Sequence, residues 1–261
     1  MEKIIVVTGG TSGIGLMTAN MLRAKGDKVI TLANMGGEDD KDFMFCDVSD
    51  QNNVKECFEN IGKTYGRIDV LINCAGYGLN GALELLDSEK IKRQFDVNVF
   101  GLIECTKCAL KYMSRGARII NIASAMALFP VPYRSMYGAS KSAVLSLSYA
   151  LRMELKPSGI DVCAVCPGDV NTNFTKNKVI EYATNERYGD RIQNAFKKFD
   201  DPKRKEKQIK PEVVAKALVK LCYKKSTRPM IIVGAKMKLL YFACRFTPKS
   251  LLLNSTTKIC G

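Results

Sequence analysis

The chain has 261 residues, 46% hydrophobic and 25% charged, which is enough for a full core in one α/β domain. Its formal charge of +14 admits an anionic surface or ligand as partner, yet no aromatic-basic stacking pattern or reading helix supports nucleic acid. Histidine is absent, which excludes a Ser-His-Asp triad, a Cys-His dyad and any histidine-ligated metal; proton transfer falls to Tyr, Lys, Asp, Glu, Cys or water, and no metal site is expected.

The first strand is predicted at 4–7, with no charged leader or long apolar run before it, which points to the cytoplasm rather than to secretion. A helix follows at 14–25, then strands at 29–32 and 43–46, a helix at 53–63 and a strand at 70–72. One long helical region is expected at 88–114, a strand at 118–122, a helix at 136–155 and a strand at 160–165. A helix at 211–223 and a strand at 230–233 complete the order. Apolar strands alternating with helices predict a doubly wound parallel sheet covered on both faces, with ligands at the carboxyl ends of its strands. No apolar run approaches the roughly 20 residues that span a bilayer. The ten cysteines are scattered among apolar positions, as suits reduced thiols. Cys163 and Cys166 have redox spacing but fall in one strand, where a separation of three turns them to opposite faces.

Thr8-Gly9-Gly10-Thr11-Ser12-Gly13-Ile14-Gly15 follows the first strand and opens the first helix. Glycines let the backbone approach a pyrophosphate, and the helix N-terminus favours its charge. No Gly-Lys-Ser/Thr follows, so this is not a Walker loop.

Farther along, Tyr137 and Lys141 lie four apart and so share one helical face, with Ser124 ending the strand upstream. A phenol with its ordinary pKa near 10 is a poor base at neutral pH, and lowering it by roughly three units takes about 4 kcal/mol. One fixed ammonium about 4 Å away supplies energy of that order.

The Gly-x3-Gly-x-Gly spacing, Asn73-Cys74-Ala75-Gly76, Asn98, Ser124, the Tyr137/Lys141 pair and Pro167-Gly168 together resemble the short-chain dehydrogenase/reductase family, in order and over nearly the whole chain. The resemblance implies a single Rossmann-type domain with seven parallel strands, a nicotinamide cofactor and a homo-oligomer, dimer or tetramer. By position it implies that Gly9, Thr11, Ser12, Gly13, Ile14 and Gly15 border the pyrophosphate. Asp47 and Val48 would contact the adenine, and Asn73, Ala75 and Gly76 the adenosine ribose side. Pro167, Gly168, Val170 and Thr172 would lie at the carboxamide. Tyr137 would be the general acid/base, Ser124 would hold the substrate oxygen, and Lys141 would bind the nicotinamide ribose and lower the Tyr137 pKa. Asn98 would hold a water joining Lys141 to solvent. Read locally, Asp47 serves equally as a turn or cap residue before Asn53, and Asn73 as a strand-end hydrogen-bonding group.

The choice between NAD and NADP falls to Ala33 and Asn34, where neither a ribose-reading acid nor a guanidinium stands. Glu38, Asp39 and Asp40 tip the balance towards NAD, against Lys41.

The region 171–210 reads as an irregular substrate flap. Phe174, Val179, Ile180, Ala195, Phe196 and Phe199, with Leu128, Phe129, Pro130, Val131 and Pro132, are candidates to line an apolar pocket or to seal the flap. Lys176, Lys178, Lys197 and Lys198 suggest an anionic group on the substrate, or a solvated surface. The basic, apolar tail at 236–261 could touch a membrane surface, the substrate entrance or another subunit.

The resemblance implies an NAD(P)-dependent oxidoreductase for a secondary alcohol or ketone, and the tail is similar to those of hydroxysteroid dehydrogenase-like members, which implies a bulky lipophilic substrate, a hydroxysteroid first. A 3-oxoacyl thioester reductase is the enzymatic alternative. A catalytically silent dinucleotide-sensing protein is the alternative of another class.

Overall fold

Six short runs rich in Ile, Val and Leu, with Phe43-Met44-Phe45 at one edge, become seven parallel strands, β1 (Ile4–Thr8), β2 (Lys28–Ala33), β3 (Phe43–Phe45), β4 (Val70–Asn73), β6 (Arg118–Ile122), β7 (Asp161–Pro167) and β9 (Met230–Val233). They lie in the order β3-β2-β1-β4-β6-β7-β9. The remaining two, β5 (Leu79–Asn80) and β8 (Val179–Ile180), pair parallel in a small separate sheet. This is the single-domain, seven-stranded α/β fold expected. The computed structural model describes residues 2–37, 40–172, 179–202, 206–244 and 246–260.

Alternation along each strand divides the core. Ile4 and Val6 pack with Leu71, Ile119 and Val162 beneath α2 (Gln51–Tyr65) and α4 (Gly101–Leu110). Ile5 and Val7 pack with Ile72, Ile120 and Val165 beneath α1 (Gly13–Arg23) and the helix Pro211–Cys222. Strands buried on both faces need this unbroken apolar character. Cys163 and Cys166 fall into different clusters, on opposite faces of β7, and both thiols are free.

Strand order reverses direction beside β1, where β2 runs to one side and β4 to the other. A crevice opens at such a point beyond the carboxyl ends. Thr8 ties it together: its Oγ1 accepts hydrogen bonds from the N–H groups of Cys74 and Ala75, both at 3.1 Å. At the opposite end of the sheet, Asp161 pairs with both Arg118 and Arg152, and Arg118 also donates to the Leu221 carbonyl.

Two expectations are corrected. The helical region expected at 88–114 is helical without a break from Ser88 to Leu110 but not uniformly wound, since α3 (Ser88–Phe95) passes through a π-helical turn at Asp96–Phe100 before α4 begins, and it ends four residues early. The region 171–210 is also more regular than its composition suggests. It contains β8, α6 (Arg191–Asp200) and a bridge between Val170 and Ile209. The helix signal is present in the sequence, since Ile192, Ala195, Phe196 and Phe199 recur at helical spacing and form one buried stripe, whereas β8 is too short to carry a pattern of its own.

Candidate active site

Backbone proximity shapes the dinucleotide end. A methyl added to Gly15 would sit 2.2 Å from the Gly9 carbonyl oxygen, and one added to Gly9 would sit 2.9 Å from the Ala75 Cα. Gly9 also has φ +65°, a region that penalises side chains. Ser12 is the N-cap of α1, yet its side chain makes no capping bond, and the first turn carries no acid. No Ser12 oxygen covers the first-turn N–H groups, which leaves the turn open to an anion, although the Gly15 N–H is engaged by the Cys74 thiol. Thr172 closes over this turn, its Cβ 3.5 Å from where a methyl on Gly13 would be. Val170 is held nearby by its bridge to Ile209, and Gly168 packs against Met237 and Ile209. Ile14 packs half-buried into the core beneath. The cradle formed by Gly9, Gly13 and Gly15 fits a dinucleotide backbone.

Other expected contacts are engaged elsewhere. Asn73 donates to Thr106 Oγ1 at 3.2 Å and to Asn121 Oδ1 at 2.9 Å, so its side chain ties strands and helix together inside the sheet. Its Oδ1 has no hydrogen-bond partner among the described residues. Asp47 accepts from the Ser49 N–H and hydroxyl and pairs with Arg93 at 2.7 Å. Burial works to raise its pKa, but these partners hold the carboxyl below the usual range. The capping role before Asn53 falls to Asp50, which accepts from the N–H groups of Asn52 and Asn53. Val48 is buried against Gly101. Ala33 ends β2 buried, while Asn34 is exposed and Thr11 donates to the Met35 carbonyl at 2.8 Å.

The acids beyond β2 are less free to repel a phosphate than expected. Asp40 turns inwards, accepting from Thr31 and Arg23 at 2.7 Å each, and Asp42 pairs with Lys28 at 2.6 Å. Burial pushes the Asp40 pKa up, but the Thr31, Asp42 N–H and Arg23 partners bring it below its ordinary value. A cavity of about 490 Å³ lies here, lined by Thr11, Arg23, Asp40 and Lys41 among others. Glu38 and Asp39 lie outside the described residues.

At the reactive end, α5 (Ser135–Glu154) brings Tyr137 and Lys141 against the end of β6. Tyr137 is half-buried and hydrogen-bonded to the Ser124 side chain, which also accepts from the Met126 N–H at 3.1 Å. Lys141 is buried, and its Nζ donates to the Ile122 carbonyl at 2.9 Å. The same Nζ lies 5.9 Å from the Tyr137 ring centroid. Asn98, in the π-helical turn, accepts from the Tyr77 N–H at 3.0 Å and donates to the Tyr77 carbonyl at 2.9 Å and to Ser140 at 3.1 Å. A methyl on Gly76 would come within 2.8 Å of Asn98 Oδ1 and 3.4 Å of Lys141 Nζ. Asn98, Gly76, Lys141, Tyr137 and Ser124 are thus brought to one crevice.

The electrostatics differ from the expectation that the ammonium lowers the phenol. Burial pushes Tyr137 up to about 12, and the Ser124 hydrogen bond and the Arg134 charge only partly oppose it. Burial also pulls Lys141 down to about 8, with the Cys74 and Cys166 thiols working the other way. Desolvation in the protein alone thus disfavours phenolate and ammonium alike.

The flap residues divide. Ala195, Phe196 and Phe199 are buried with Ala82 and Ile192 in a small cluster of their own, against which Ile180 and Val131 pack. They seal the flap instead of lining a pocket. Phe129 is buried, Val179 and Leu128 half-buried, and Pro130 exposed, with Pro132 intermediate. Lys197 and Lys198 are exposed on α6. Phe174, Lys176 and Lys178 lie outside the described residues.

Comparison with known proteins bears on the whole arrangement. Residues 3–183 match the short chain dehydrogenase family model. The chain belongs to the short-chain dehydrogenase family. It is accordingly an oxidoreductase acting on CH–OH groups, in a family whose cofactor is NAD or NADP. A 3-ketodihydrosphingosine reductase of Bacteroides thetaiotaomicron is 36% identical over 245 residues, covering 92% of this chain and 90% of the relative. A human 3-oxoacyl-[acyl-carrier-protein] reductase is 32% identical over 68% of this chain and 79% of its own. Among solved structures, the ligand-free aldohexose dehydrogenase of Thermoplasma acidophilum aligns with a TM-score of 0.75 at 29% identity, covering 91% of this chain and 94% of that one.

Three contributors to this short-chain dehydrogenase site escape sequence reading. Tyr77 anchors Asn98 through its backbone alone, so its residue type carries no signal. Arg134 acts on Tyr137 from the turn before α5 and stacks over Phe199 at 4.0 Å, joining the flap to the tyrosine. Its spacing of three before Tyr137 was the one available clue. Thr8 looked like the start of a glycine motif, and only the fold shows it clamping β1 to the Cys74–Ala75 turn.

Proposed function

We propose that this enzyme reduces a ketone on a bulky, lipophilic substrate, with Tyr137 delivering the proton to the carbonyl oxygen. The observation that carries this reading is Tyr137 hydrogen-bonded to Ser124 beside buried Lys141. Ser124 holds the carbonyl oxygen, and Lys141 with Asn98 orients the ribose edge of the cofactor. A phenol pushed up to about 12 stays protonated at neutral pH, so it is already loaded for reduction. The bound nicotinamide dinucleotide supplies the hydride. Gly9, Gly13 and Gly15 would hold its pyrophosphate, and Val170 and Thr172 its carboxamide end.

NADP is the better supported form. Asp40 and Asp42 are each paired with a cation, while Lys41 lines the cavity next to Thr11. That arrangement suits a 2′-phosphate. A neighbouring structure, ElxO with NADP bound, is 25% identical with a TM-score of 0.74.

For the substrate, a long-chain amino ketone of the 3-ketodihydrosphingosine type comes first, supported by the Bacteroides relative and its nearly full-length match. A 3-oxoacyl thioester is the second reading, supported by the human relative. A hydroxysteroid rests only on the character of the tail. The deciding assay follows reduced-nicotinamide absorbance with each of these three ketones and both cofactors. Consumption of NADPH with the long-chain amino ketone, at a kcat/KM at least about tenfold above the other two, is the expected result. Turnover of none of the three, with dinucleotide still bound, would favour the sensing protein instead.

A further inference from the structure

Glu212 is the last acidic residue in the sequence, and every charged side chain after it is positive. The closing part of the chain forms two helices, Ala235–Cys244 and Lys249–Cys260. On the first, Met237 and Tyr241 turn inwards against Ala123, Val144, Ala164 and Cys166. Its outward side mixes the exposed Lys236 and Lys238 with bulky apolar groups, Leu239 being 71% exposed and Phe242 62%. Phe246 stacks edge-on against Phe242 with ring centroids 5.5 Å apart, and Leu251 and Leu253 carry exposed apolar surface onto the second helix. Bulky apolar groups clustered on an exposed basic helix face mark a docking surface.

We propose that these two helices dock the enzyme on an anionic membrane surface. Leu239, Phe242, Phe246 and Leu251 enter the headgroup boundary, and Lys236, Lys238 and Lys249 meet lipid phosphates. Charge decides between a membrane and a second copy of the chain. A two-fold interface sets a patch against itself, so lysines with no acid among them would face the same lysines. An anionic leaflet attracts each of those lysines instead. Among the described residues no helix is long and apolar enough to cross a membrane, so the contact is peripheral. The first helix is also seated at the crevice, because Met237 Cγ lies 2.7 Å from where a methyl on Gly168 would be. The docked surface therefore adjoins the place where a lipophilic ketone must arrive. The proposal goes beyond the substrate reading and stands without it.

The test is co-sedimentation of the full chain with vesicles of phosphatidylcholine alone or mixed with phosphatidylglycerol, at low and high salt. Binding to the mixed vesicles should exceed binding to the neutral ones by at least about tenfold and weaken with salt. Lys236→Glu with Lys238→Glu, and separately Leu239→Asp with Phe242→Asp, should each reduce it by at least about tenfold while dinucleotide binding persists. Equal binding to both vesicle types, or none, overturns the proposal on the unaltered protein alone. So does a Leu239→Asp/Phe242→Asp variant that splits an oligomer by light scattering, which would make a second copy the cover. Ketone reduction with a detergent-dispersed substrate is a separate readout: its persistence without vesicle binding removes the docking surface and leaves the reductase reading in place.

Discussion

The crevice beside β1 and the flap with its tail are built on different terms. In the crevice, individual atoms are dictated: Gly15 because the Gly9 carbonyl would lie 2.2 Å from any added methyl, Thr8 because two N–H groups need its oxygen. In the flap, Phe196 and Phe199 are required only to be apolar and large enough to close a satellite cluster. Chemistry shared across a family sits on the first kind of structure. The second kind of structure asks only for apolar volume, so its residues can change without dismantling the sheet.

The sharpest way to break this contrast is Tyr137→Phe. Turnover should fall by about 10³-fold, with dinucleotide affinity nearly unchanged, as read by steady-state kinetics and a cofactor titration. Retained turnover would remove Tyr137 from the reaction. Next is Phe196→Ala, which should cost the flap cluster about 3–5 kcal/mol. If the flap is energetically separate, proteolysis opens it and KM for the ketone rises, while dinucleotide affinity stays within about twofold. Equal loss of both would merge the two regions. Gly15→Ala should do the reverse, costing about 1–3 kcal/mol of overall stability and most of the dinucleotide binding while leaving the flap protected.

A smaller effect concerns Lys141. Its folded pKa lies near 8 against an ordinary 10.5, so between those values the unfolded chain holds a proton that the folded one has lost. Stability should therefore rise with pH across that window. Lys141→Met should flatten the rise in thermal unfolding measured from pH 8 to 10.5, and should weaken dinucleotide binding at pH 7. Smallest is Lys41→Glu at the exposed cavity edge, which should shift the NADP-to-NAD affinity ratio by up to about fivefold. No shift would leave the Ala33–Asn34 end of β2 as the sole reader of the ribose.

Much of the crevice was legible in the residue order because its constraints are local. The glycine turn, the strand before it and the Tyr137/Lys141 spacing each follow from short-range geometry. Strand positions were legible for the same reason, since strands buried on both faces must be continuously apolar. What escaped depends on partners distant in sequence. Asn73 looks like a crevice group until Asn121 and Thr106 claim its amide. The phenol's pKa depends on how completely the sheet and α5 exclude water, and spacing says nothing of that. β8 is only two residues long and is defined by its pairing with β5, a hundred residues earlier in the chain.

The π-helical turn at Asp96–Phe100 winds more residues into its length than an α-helical turn of equal rise. Deleting Val97 would let the segment revert to uniform winding, and local helix formation would improve. The same change would swing the amide of Asn98 by roughly 100° around the axis, away from Tyr77 and Ser140. A shortening that mends the helix would thus disconnect it from the crevice, which makes the number of residues between α3 and α4 as fixed a property of this enzyme as the identity of its tyrosine.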